Sequence, residues 1–172
     1  NGISSAFLNE ELIVFTEVIG NSNGDINPGE TISLSLPIEN TGNSEIQNLS
    51  AELITSSEHI TINSANSNYG FGYLAIGETG SNNTLFEIEI DSNVKDSENL
   101  ELTLLIFDGE NNWESTLSLD VKGAHIEIGN LIINGNGHNL NSNGNSYLTL
   151  VLNNNGRFET GELIGELTPL SA

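Results

Sequence analysis

The chain has 172 residues, 24 acidic against 3 basic, a formal net charge of −21 and no cysteine. Phosphate binding needs a basic face that releases counterions, and Lys95, Lys122 and Arg157 cannot supply one, so nucleic acid is excluded as a partner. The same imbalance disfavours an anionic membrane surface. Disulfides and cysteine catalysis are excluded, and no apolar run is long enough to predict membrane insertion as a helix.

Alternation with a period of two runs through the chain, which is the mark of strands with one buried and one wet face. Residues 11–19 predict the first strand. It leads into the oxygen-rich segment Asn21-Ser22-Asn23-Gly24-Asp25-Ile26-Asn27-Pro28-Gly29-Glu30. Leu34, Leu36 and Ile38 alternate with Ser33, Ser35 and Pro37 and predict a strand over 31–39. Pro37 has no N–H to give a neighbouring strand, so it marks an edge or a bulge. Further strands are predicted over 46–54, 58–62, 69–75, 84–90, 99–107 and 112–121, with Gly, Asn, Asp and Ser clusters between them. Asp108-Gly109-Glu110-Asn111-Asn112 reads as a hairpin loop joining the last two. This spacing of short strands predicts an all-β fold, an immunoglobulin-like antiparallel β-sandwich over residues 1–122.

Residues 123–172 predict a partial second repeat at an offset of 114. Asn40-Thr41-Gly42 falls on Asn154-Asn155-Gly156, and Leu34, Leu36 and Ile38 fall on Leu148, Leu150 and Leu152. Leu12 and Val14 fall on Ile126 and Ile128. The boundary is expected near Lys122-Gly123-Ala124. A few strands of a sandwich leave an apolar face and open edges, so this repeat is expected to pack on residues 1–122, to self-associate with another chain, or to be completed by residues outside the given sequence. The chain starts at Asn1 without a leader pattern and reads as a piece of something longer.

Side-chain oxygens recur at Asn21, Asn23, Asp25 and Asn27, followed by the carboxylate of Glu30. Calcium takes six to eight oxygen ligands from such loops, so these five residues are candidate calcium ligands. The alternative is an Asx-turn loop with Pro28-Gly29 as a β-turn. In the second repeat Asp25 falls on Asn139 and Glu30 on Gly144, so a metal is expected to favour the first loop.

Gly24-Asp25-Ile26-Asn27-Pro28-Gly29-Glu30-Thr31, an alternating strand and then Glu39-Asn40-Thr41-Gly42 resemble a bacterial module. Tyr69-Gly70-Phe71-Gly72-Tyr73-Leu74, Ile76-Gly77-Glu78 and Phe107-Asp108-Gly109 with Trp113 agree with it. It is the immunoglobulin/fibronectin III-like domain, akin to the CARDB type, found beside secreted gingipain-like, subtilisin-like or fungalysin-like peptidases and in surface proteins of Bacteroidetes. The resemblance implies a secreted or cell-surface location and an ancillary role. The second repeat departs from it, reading Ser142-Asn143-Gly144 where the first has Pro28-Gly29-Glu30.

Catalysis is not expected. His59, His125 and His138 accompany no nucleophile-elbow pattern and no zinc spacing. Tyr69, Phe71 and Tyr73 form a candidate ligand-binding ribbon if they face outward, and a core stripe if they face inward. Trp113 is expected to anchor the core. The expected function is a structural or spacer module of a larger exported protein, peptidase or adhesin, with neighbouring domains as partners. The alternative is a glycan- or protein-recognition module.

Overall fold

The computed structural model describes residues 2–64, 67–82, 84–133 and 145–168. His138, Asn139, Ser142, Asn143 and Gly144 lie outside the described residues. In chain order the strands are β1 (Ala6–Leu8), β2 (Val14–Ile19), β3 (Thr31–Ser35), β4 (Ile38–Asn40), β5 (Ile46–Ile54), β6 (Ile60–Ile62), β7 (Asn68–Leu74), β8 (Thr79–Gly80), β9 (Phe86–Ile90), β10 (Asn99–Phe107), β11 (Asn112–Asp120), β12 (Ile126–Ile133) and β13 (Leu148–Asn154). They form an antiparallel β-sandwich.

One sheet has the order β2-β3-β9-β6 and the other the order β11-β10-β5-β7. A short third sheet, β1-β4-β8, continues the first around the core, and β12 pairs with β13 as a separate two-stranded sheet. The period-two pattern explains the burial. Leu100, Leu102, Leu104 and Ile106 on β10 are buried, and so are Phe86, Ile88 and Ile90 on β9, while the intervening Glu87 and Glu89 are not. Each such aliphatic side chain contributes roughly 1.5–3 kcal/mol by leaving water. Phe86 is fully buried and meets the ring of Tyr69 edge-on, with centroids 5.1 Å apart.

Two expected strands are corrected. The strand expected over 11–19 begins only at Val14, because Glu10–Leu12 form a 3-10 turn. Ahead of it lies β1, too short to show periodicity. The strand expected over 31–39 is cut after Ser35, and β3 and β4 belong to different sheets. Pro37 is buried at this switch, and its carbonyl accepts the Asn9 N–H at 2.8 Å. A residue without an N–H fits where the chain leaves one ladder for another. The Asp108 hairpin forms as expected: its carboxylate accepts the N–H groups of Glu110 and Asn111, with Gly109 at φ 95°.

The two Asn-x-Gly turns carry the same bonds. Asn40 Oδ1 accepts the Gly42 N–H at 3.0 Å, and its amide donates to the Ser44 carbonyl at 2.9 Å. Asn154 Oδ1 accepts the Gly156 N–H at 3.0 Å, and its amide donates to the Phe158 carbonyl at 2.7 Å. The Thr41 N–H bonds to Ser5 and the Asn155 N–H to His125. The offset of 114 fits these turns but not the preceding strand. Ala6 and Leu8 lie opposite Asn40 and Ile38, as Ile126 and Ile128 lie opposite Asn154 and Leu152. Leu12 and Val14 do not hold those places. The 3-10 turn breaks the first strand of residues 1–122, whereas β12 runs on with only a bulge between Ile128 and Asn130, so one offset cannot serve both.

Candidate functional site

The Asn-rich loop leaves β2 at Gly20 and returns to β3 at Thr31. Short polar side chains that bond their own backbone two residues on explain its path. Asn21 Oδ1 accepts the Asn23 N–H at 2.9 Å and Asn23 Oδ1 accepts the Asp25 N–H at 2.7 Å. Gly24 and Gly29 take φ of 83° and 84°, which glycine adopts without strain.

At the centre lies Asn27, 1% exposed. Its Oδ1 accepts the side-chain amides of Asn21 at 2.7 Å and Asn23 at 2.8 Å, and its own amide donates to the Lys122 carbonyl at 2.9 Å. Glu30, 3% exposed, accepts the Asn27 N–H at 2.9 Å. The other Glu30 oxygen receives only a long contact from the Asn21 N–H, 3.4 Å. Asp25 turns away and pairs with Lys122 Nζ at 2.5 Å. Four of the five candidate ligands, Asn21, Asn23, Asn27 and Glu30, thus share one network, and Asp25 faces a cation already in place.

A sixth residue belongs here. Glu17 on β2 accepts the Ser22 N–H through Oε1 at 2.6 Å, while its Oε2 is buried with no hydrogen-bond partner. Its carboxylate and that of Glu30 converge over Gly20, where both lie within the space a Cβ would fill. The oxygens of Asn21, Asn23 and Asn27 are engaged with N–H groups. The Glu17 and Glu30 carboxylates thus converge beside the network of Asn21, Asn23 and Asn27 that the spacing singled out. Among the described residues no group of three or more His, Asp or Glu side chains is gathered as a metal cluster. Its position four residues before the loop is the one sequence signal for Glu17.

The loop abuts the junction between residues 1–122 and β12. Ile26 bridges to Val121, and the Lys122 N–H donates to the Ile26 carbonyl at 2.8 Å. Arg157, beyond β13, reaches back across the junction. Its Nε donates to Asp96 Oδ1 at 2.8 Å, and its two terminal nitrogens donate to the two Asp120 oxygens at 3.0 and 2.7 Å. It also donates to the Val121 carbonyl at 3.2 Å, and the Gly123 N–H donates to Asp96 at 3.1 Å. This forked geometry suits a planar guanidinium. Hydrogen bonding to Arg157 holds the Asp120 carboxyl below its ordinary range. Partial burial raises that of Asp96, but bonds from Arg157 and the Gly123 N–H outweigh it, so it too lies low. Arg157 is correspondingly held above its usual value by its bonds to Asp120 and Asp96.

The aromatic stripe is divided. Tyr69 and Phe71 pack against the core, whereas Tyr73 is 50% exposed and its hydroxyl donates to Glu45 at 3.0 Å. Gly72 at φ 77° and two register shifts between β5 and β7 turn Tyr73 out and Leu74 in. Trp113 is partly buried on the core. A shallow depression of about 640 Å³ lies between the N-terminal segment and the Asp108 hairpin, lined by residues including Ile3, Glu45, Asp108 and Asn111.

Fold and site together define a strongly acidic all-β sandwich with a basic clasp at its C-terminal junction. No family model matches the chain, and no curated protein matches it.

Proposed function

We propose that the chain is a non-catalytic structural spacer of a larger exported or cell-surface protein: an immunoglobulin-like sandwich followed by the beginning of a second copy. The observation that carries this reading is the junction. A chain with only 3 basic residues spends Lys122 on Asp25 and Arg157 on Asp96 and Asp120. The Arg157 pairs tie the end of β13 back to the sandwich, and the Lys122 pair braces the loop beside the junction. A fixed direction is what a spacer requires and a flexible tether lacks. Calcium is proposed at Glu17 and Glu30, where it would neutralise converging carboxylates and stiffen the loop against the junction. The resemblance to ancillary domains of secreted peptidases and adhesins points the same way.

The test uses the absence of cysteine. Thr116→Cys and Thr149→Cys place unique spin labels on the two sides of the junction, with labelled chain diluted in unlabelled chain. A narrow distance distribution that broadens on Arg157→Ala is expected. A distribution already broad with Arg157 present overturns the spacer reading.

A further inference from the structure

Among the described residues one dipeptide recurs in two settings: Asn23-Gly24 in the loop after β2, and Asn155-Gly156 after β13. Asparagine followed by glycine can close on itself. The glycine backbone nitrogen, once deprotonated, attacks the asparagine Cγ, and the missing Cβ leaves that approach open. A bond forms between this nitrogen and Cγ, and the side-chain nitrogen leaves as ammonia. Water then opens the cyclic imide to aspartate or isoaspartate. Water is the one co-reactant, and nothing is oxidised or reduced.

The two settings differ at each part of this step. Asn23 and Gly24 are both exposed, and a Cβ on Gly24 would meet nothing within 4 Å, so the peptide has room to turn and solvent to take its proton. Asn23 Oδ1 accepts the Asp25 N–H at 2.7 Å. That bond folds the side chain back along the Gly24 peptide, and its donor stands where negative charge develops on Oδ1 as Cγ is attacked. At the other step the Gly156 N–H donates to Asn154 Oδ1 at 3.0 Å, so the proton that must leave is held. The Asn155 amide donates to Glu127 at 2.7 Å, which sets a carboxylate beside the group that would become negative. A Cβ on Gly156 would strike the backbone of Gly123 and His125, so this peptide has no room to turn.

We propose that Asn23 is a modification site, deamidated by its own backbone in the folded chain, while the fold protects Asn155. The product matters through Asn27. The Asn23 amide donates to Asn27 Oδ1 at 2.8 Å, and Asn27, 1% exposed, fastens the loop to the Lys122 carbonyl at 2.9 Å. Deamidation replaces that donor with a carboxylate oxygen, so acceptor faces acceptor beside the buried Glu30. The isoaspartate product also lengthens the backbone by one atom. Either product loosens the loop that abuts the junction, with time and pH as the trigger and no enzyme required.

The test incubates the whole chain, folded and in parallel unfolded in urea, in mildly alkaline buffer. Proteolysis and mass spectrometry then read conversion at each Asn-Gly step by its own peptide. In urea the two steps share a dipeptide and lose their surroundings, so they are expected to convert at similar rates. In the folded chain Asn23 is expected to convert about tenfold faster than Asn155 or more, a difference of about 1.4 kcal/mol in barrier. Asn155 converting as fast as Asn23 in the folded chain overturns the proposal, and so does Asn23 staying intact while its unfolded counterpart converts. Asn23→Asp, measured in chelator so that the calcium reading does not enter, is expected to lower the urea midpoint. A variant as stable as the unaltered chain overturns the consequence assigned to Asn27.

Discussion

Glu17 is the residue whose surroundings ask most for a partner. A carboxylate oxygen buried without a hydrogen bond is costly, and a second carboxylate, Glu30, converges on the same space. Two substitution outcomes separate the explanations. With a calcium ion bound there, excess calcium raises the melting temperature relative to chelator, and Glu17→Gln abolishes the rise. Binding to the native state alone contributes about 2.7 kcal/mol at a hundredfold excess over Kd. Without a cation, Glu17→Gln removes a repulsion and leaves the chain as stable or more so, with no calcium response in either form. Asp25→Ala removes the partner of Lys122 and is expected to leave the calcium response in place. The oxygen-rich loop was legible in sequence because Asn, Asp and Gly at alternating positions leave few other conformations. The convergence of Glu17 was not, since it depends on the close approach of two strands at Gly20.

At the scale of elements, alternation located the middle of nearly every strand and mislaid the ends where chain changes sheet. β5 and β10 span the expected residues, because each stays in one ladder with one face on the core. β1 and the break at Pro37 were invisible to periodicity, since a sheet switch preserves the alternation while the hydrogen-bond partners change. The Asn-x-Gly turn is where local sequence decides most. At Gly42 a Cβ would meet the Ile3 carbonyl and the Ser5 nitrogen, both backbone, which cannot move aside as a flexible side chain would. Gly42→Ala is therefore expected to destabilise the sandwich by about 1–3 kcal/mol, as overpacking does, with a lowered urea midpoint. Gly156 meets the Gly123 carbonyl and the His125 nitrogen in the same way. Gly156→Ala is expected to loosen β12 and β13 while the unfolding of the sandwich, followed by Trp113 fluorescence, stays where it was. Equal loss of sandwich stability in both variants would show that the second turn is part of the first folding unit.

The molecule as a whole places Arg157 where two units meet, on Asp96 and Asp120, so acid should part them there. Asp96 and Asp120 titrate below their ordinary range in the folded chain, chiefly through Arg157 and the Gly123 N–H. A carboxyl whose folded value is depressed contributes stability that is complete above its unfolded value, about 3.9. That contribution fades as pH falls through the folded value. The junction is therefore expected to hold at neutral pH and down to about pH 4, and to open only below it. Asp91, lowered by its bonds from Asn93, and Asp108, lowered by the Asn111 and Glu110 N–H groups against partial burial, lie within the sandwich and lose their contributions in the same range. A global melt therefore cannot isolate the junction, but the spin-label distance can. With Arg157 the distribution is expected to stay narrow to about pH 4 and broaden below it, while Arg157→Ala is broad already at neutral pH. Broadening that begins well above pH 4 would instead take the clasp away from Asp96 and Asp120.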